Sequence, residues 1–176
     1  MKLSKYIWAV MMAATLLLSC GVYKFNGASI DYSTTKTISV TNFFNDTAGG
    51  PPNMGQFFTE ELREYFQRNT KLELVPAKGD LQFEGAISNY DVRPQAITSS
   101  GNRNLNDQSG LMRLSIAIEV VFTNTKKEED DFKRTFSFFA DYDPSTATLT
   151  DVEDDLVEEI FDQIIFDIFQ ASVAQW

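Results

Sequence analysis

Six apolar side chains at strictly alternate positions, Met112, Leu114, Ile116, Ile118, Val120 and Phe122, constrain this chain more than any other feature. Successive residues of a strand point to opposite faces, so these six share one face. Arg113, Ser115, Glu119 and Thr123 take the other, with Ala117 and Val121 between them. A strand apolar on one side and polar on the other belongs to a sheet covered on one side only. The rest of the chain must supply the cover and the neighbouring strands.

The strands are legible on either side. Leu81, Phe83, Gly85 and Ile87 alternate with Gln82, Glu84, Ala86 and Ser88, in a run ending before Pro94. Phe132, Arg134, Phe136, Phe138 and Ala140 alternate again after a charged hairpin tip, Lys126 to Asp131. A short strand is expected at 37–42, where Ile38 and Val40 face away from Thr37, Ser39 and Thr41, and another at 72–75. Residues 95–110, rich in Ser, Asn, Gly and Gln, read as a polar loop tip.

Two helices provide the cover. Met54, Phe58, Leu62 and Phe66 recur every four residues, with Asn53 and Gln56 spaced as a capping box. Near the C-terminus, Val152, Leu156, Ile160, Ile164 and Ile168 form one such row. Val157, Phe161, Ile165 and Phe169 form the adjacent one, and Thr150 with Glu153 is a second expected capping box. The same segment carries acids from Asp151 to Asp167, each worth about 2.5–3.5 kcal/mol against insertion at a bilayer centre. The helix must lie on a sheet with its acids in water. The expected fold is α+β: a mostly antiparallel, mixed sheet of four to five strands with two helices on one face, in one domain over 36–176.

The start of the chain has a different logic. Lys2 and Lys5 precede an apolar run, Ile7 to Leu18, too short to span a bilayer as a helix. Leu17-Leu18-Ser19-Cys20 follows, a lipobox in which the cysteine thiol accepts a diacylglycerol. Residues 1–19 therefore read as a signal peptide, and 20–35 as a lipidated N-terminal tether carrying acyl chains on Cys20. Gly21, where Asp would favour retention in the inner membrane, points to the outer membrane.

Composition excludes much chemistry. There is no His, and Cys20 is the single Cys, so Ser-His-Asp, Cys-His and His-ligated metal sites cannot be built. No catalytic site, metal site or cofactor is expected. The formal charge is −10, or −12 once the leader's two lysines are gone, so the general field opposes nucleic acid and any anionic ligand must be met locally.

With these features in place, the chain resembles the lipopolysaccharide-assembly lipoprotein family, LptE. The likeness rests on Cys20-Gly21 followed by Tyr23, on the order of strands and helices, and on Phe138-Phe139-Ala140-Asp141 followed by Pro144 and a long last helix. The resemblance implies a non-enzymatic subunit on the periplasmic side of the outer membrane. It would plug the β-barrel LptD and assist lipopolysaccharide insertion into the outer leaflet. The family's lipopolysaccharide contact uses a base between the first two long strands, where this chain has Arg103, with Arg93 nearby. It uses another before the last helix, where Ser145 to Thr148 offer none. Two other functions are compatible with the residues: a periplasmic lipid or lipoprotein carrier, which needs an open apolar cavity, and a scaffold lipoprotein of another envelope machine.

Overall fold

The computed structural model describes residues 30–95 and 110–173. The expected leader, Cys20, Arg103 and most of the 95–110 tip lie outside the described residues. The element order is β1 Thr37–Val40, β2 Phe44–Asn45, α1 Met54–Asn69, β3 Glu73–Leu74, β4 Leu81–Pro94, β5 Met112–Asn124, β6 Phe132–Tyr142 and α2 Leu149–Val173. The strands form one mixed sheet in the order β3-β1-β4-β5-β6, with β2 also beside β4. The long strands β4, β5 and β6 are antiparallel, and the short ones pair parallel. This is the α+β architecture expected, with six strands in five positions because the first strand is split in two.

The split has a local cause. After Val40 the chain leaves the sheet so that Phe43 can turn inward, where it is 3% exposed and its ring meets Phe58 at 5.0 Å. Gly85 makes room, since a Cβ there would lie 2.7 Å from the Phe43 ring and 2.0 Å from the Glu119 carbonyl oxygen. The backbone freed by the break is bonded by α1. The Phe43 N–H donates to Thr59 Oγ1 at 2.9 Å, and Arg63 donates to the Val40 carbonyl at 2.6 Å.

Ser39 is a second departure. Alternation places it on the wet side of β1, yet it is 5% exposed. The connection from β3 to β4 crosses β1 there, and the Gly79 N–H donates to Ser39 Oγ at 3.1 Å. Only a residue without a side chain can cross so closely, because a Cβ at Gly79 would stand 2.5 Å from the Ser39 nitrogen.

The apolar face of β5 is buried as its alternation requires, with Leu114, Ile116, Ile118 and Val120 at 0% exposure. Phe66 of α1 meets Phe83 at 5.0 Å, Phe83 meets Phe122 on the next strand at 4.8 Å, and Phe58 meets Phe161 of α2 at 5.0 Å. Both apolar rows of α2 are buried from Leu156 to Phe169. Among the described residues, no helix is long and apolar enough to cross a membrane.

Neither expected capping box forms. Asn53 makes no side-chain cap bond, and Gln56 reaches forward to Glu60 at 2.8 Å. At α2 the cap lies earlier than Thr150. The Asp151 carboxylate accepts from the N–H and hydroxyl of Thr148 at 2.9 and 2.6 Å, which also lowers its pKa. Glu153 instead accepts a hydrogen bond from Tyr90 Oη, tying α2 to β4.

Candidate functional site

The helices cover one face of the sheet, and the open face is built by the outward residues of β4, β5 and β6. Which residues these are depends on a bulge. The β4–β5 register runs evenly to Ile87↔Ile118 and then skips Ser88 to resume at Asn89↔Ala117. A bulge of one residue reverses the facing of everything after it. Unbroken alternation from Leu81 would send Asp91 and Arg93 into the core. With the bulge they reach the open face, while Tyr90 and Val92 turn inward against it.

As a result Arg93 stands directly opposite Arg113, which in turn stands opposite Asp141 on β6. Two guanidinium groups on facing residues repel one another, and each is given its own carboxylate. Arg93 Nε lies 2.5 Å from Asp91 Oδ2. Arg113 makes a two-pronged contact with Asp141, both bonds at 2.7 Å, and its guanidinium carbon lies 3.5 Å from the centre of the Phe139 ring. The Asp141 contact raises the Arg113 pKa and holds the Asp141 carboxyl below its ordinary range.

The two arginines differ in what they can still do. Arg113 is engaged by a bidentate carboxylate and a ring, an arrangement that holds its guanidinium in place. Arg93 has one partner two residues away on its own strand, and its side chain is 77% exposed. Of the two, Arg93 is the guanidinium left more open to an anionic group. Arg113 escaped the sequence reading, because its role depends on the bulge that places Arg93 across from it. The segment before α2 remains without a base, and Asp143 there accepts bonds from the Ser145 N–H and hydroxyl at 2.8 and 2.7 Å.

Around this cluster the open face is largely polar. Rows across it read Asn89–Ala117–Ser137 and Ala86–Glu119–Thr135, with Lys133 bridging to Glu119 at 2.8 Å. Two aromatic rings stand out of it, Phe139 and Phe44, 43% and 65% exposed.

The interior, by contrast, is full. The large rings at the helix–sheet boundary are in contact and at most 1% exposed. The clefts lie at the surface. One of about 420 Å³ opens where the chain enters the domain, lined by Ile30, Asp31, Asn124, Lys126, Lys127 and Val173 among others. Another of about 240 Å³ lies between the first turns of the helices, beside Met54, Phe57 and Val157. The apolar chamber that a lipid carrier requires is not formed between the described helices and sheet.

A family model described as "LptE: Lipopolysaccharide-assembly" matches residues 35–172. No curated protein matches the chain. The chain is similar to solved structures at low sequence identity, and the two with a TM-score above 0.5 share its fold. A hypothetical protein from Chlamydia trachomatis is 10% identical with a TM-score of 0.53, over 80% of this chain and 99% of its own. A protein from Xanthomonas campestris is 11% identical with a TM-score of 0.52, over 77% of this chain and 82% of its own. The rare lipoprotein B from Shewanella oneidensis is 13% identical with a TM-score of 0.48, over 77% of this chain and 90% of its own.

Proposed function

The chain belongs to the LptE family of lipopolysaccharide-assembly proteins, and from that premise we propose that it is the lipid-anchored subunit that plugs an LptD-like β-barrel of the outer membrane and assists lipopolysaccharide insertion. The observation that carries the reading is the extent of the family match, which takes in the domain from Thr35 to Ser172. A packed body with a largely polar open sheet face is suited to filling a lumen by shape rather than to turning over a substrate. No reaction is assigned to it.

In this reading Cys20 carries the acyl chains and holds the protein on the periplasmic side. Lipopolysaccharide, where it touches this subunit, meets Arg93 and Arg103. Photo-crosslinking in cells from Ser137 and from positions within 96–109 tests the assignment. The expected product is a one-to-one adduct with a single large β-barrel, and depletion of the protein should remove lipopolysaccharide from the cell surface. Recovery of the free monomer alone after crosslinking refutes the plug. Release of wild-type protein from membranes, or unchanged attachment of Cys20→Ala, refutes the anchor.

A further inference from the structure

The two helices lie side by side, with Phe57 of α1 against Phe161 of α2 at 5.9 Å and Tyr65 against Phe169 at 5.3 Å. Their charge is one-sided. α1 carries three acids, Glu60, Glu61 and Glu64, and α2 carries eight, against two bases in all. Both bases are on α1 and both are engaged. Arg63 donates to the Val40 carbonyl at 2.6 Å and to Asn42 Oδ1 at 2.9 Å, and Arg68 pairs with Glu64. None of the eight acids of α2 is in an ion pair among the described residues.

Glu61 shows what this does to a carboxylate in the seam between the helices. Burial and Glu64 raise its pKa, Arg68 lowers it, and Asp162 and Glu158 on α2 raise it further. A cation placed beside these groups would relieve their mutual repulsion.

At the start of the seam the helices leave the groove of about 240 Å³. Pro51, Met54, Phe57 and Val157 make it apolar, and Asp154 and Glu158, one turn apart on α2, stand at its rim. Both carboxylates are exposed, and neither has a hydrogen-bond or ion-pair partner among the described residues. No base lines the groove. Pockets that enclose small-molecule ligands run to roughly 300–1,000 Å³. This one is smaller, and fits a single large side chain of the kind that anchors a protein interface.

We propose that this groove docks a basic segment of a protein partner: one apolar side chain enters over Met54, Phe57 and Val157, and lysines or arginines beside that anchor pair with Asp154 and Glu158. The negative field of the two helices draws such a segment in and turns acidic ones away. The same charges exclude a second copy of this helical face. The inference goes beyond the barrel reading, because the groove lies on the helix side, opposite the open sheet face, and its test needs no barrel.

The test follows peptide binding to the acylated mature protein in micelles of an uncharged detergent, by fluorescence anisotropy. The probe is a short synthetic peptide with one tryptophan between two pairs of lysines, labelled with an uncharged dye. It should bind saturably. Asp154→Asn/Glu158→Gln removes two rim pairs and should weaken binding by about tenfold. Asp155→Asn/Glu159→Gln removes the same charge at the same spacing, from exposed residues outside the groove, and should weaken it by less than about threefold. Glycine in place of the tryptophan should cost about thirtyfold or more. Equal weakening by the two double variants would reduce the effect to the general field and overturn the docking site. Undiminished binding of the glycine peptide overturns the apolar anchor. A peptide with glutamines for its lysines that binds as tightly as the first makes the occupant merely apolar, an acyl chain or a neutral segment, and overturns the basic partner. Absence of saturable binding overturns the proposal as a whole.

Discussion

Replacing Asp80 by Ala should destabilise the domain, because this one carboxylate ties the start of β1 to the start of β4 and to Lys126. Asp80 Oδ2 accepts from the Lys36 N–H, the Thr37 N–H and the Thr37 hydroxyl at 2.8, 3.0 and 3.0 Å. Its other oxygen holds Lys126 at 2.8 Å, and its side chain is 18% exposed. The bond from Lys126, followed by the backbone bonds, drives its pKa far below the ordinary carboxylate value. A bond to a charged group is worth about 1.5–3 kcal/mol, but water can replace some of these donors' partners at so shallow a site. A net loss of about 3 kcal/mol for Asp80→Ala is expected at pH 7, with about 2 for Asp80→Asn, which keeps one acceptor. For a domain of this size that lowers the melting midpoint by roughly 10 °C. The sign of the pH effect follows from the lowered pKa. The unfolded chain takes up the proton near pH 4 and the folded chain only well below it, so stability rises with pH in between. The gap between wild type and Asp80→Asn should therefore be full above about pH 5 and shrink as pH falls below about 4. Urea melts at a series of pH values read this directly. A change under about 1 kcal/mol at pH 7, or a gap constant down to pH 2.5, would refute the reasoning.

Three further outcomes can be measured. Phe161→Ala removes a ring that is 1% exposed and touches Phe57 and Phe58, and should cost about 3–5 kcal/mol in the same urea melts. Thr148→Ala takes away half of the bonds that start α2 and should cost about 1 kcal/mol, visible as faster hydrogen exchange in its first turn. Arg93→Ala should leave the thermal midpoint unchanged and reduce the lipopolysaccharide recovered with the barrel complex. Arg113→Ala should lower the midpoint by a few degrees, because it strands Asp141 and uncovers Phe139. Equal thermal effects from the two arginines would contradict the division of roles between them.

Much of the fold could be read from the sequence because it is written in short-range periods. The α2 rows repeat every four residues and β5 every two, and both faces are buried as those periods demand. What the sequence did not reveal depends on partners distant along the chain. The Tyr90–Glu153 bond spans 63 residues, and the Asp80 bonds to Lys36 and Thr37 span 44 and 43. Ser39 reads as wet because nothing near it signals that Gly79 will cross over it. The candidate site shows the same division. Arg93 was visible as a base beside a polar loop, but its facing depends on the Ser88 bulge, which no local pattern marks. Arg113, one strand away, gains meaning only from the pairing that the bulge sets up.

The chain's way into the sheet has a mechanical consequence. β1 is not at the rim: β3 lies on one side of it and β4 on the other, both parallel to it. A pull delivered through the residues before Thr37 runs along the strand and loads both ladders in shear. All the bonds between β1 and its neighbours must then yield together, rather than opening one at a time as they would on an outer strand. A short strand so placed makes a firm handle for any load that reaches the domain through the chain before it.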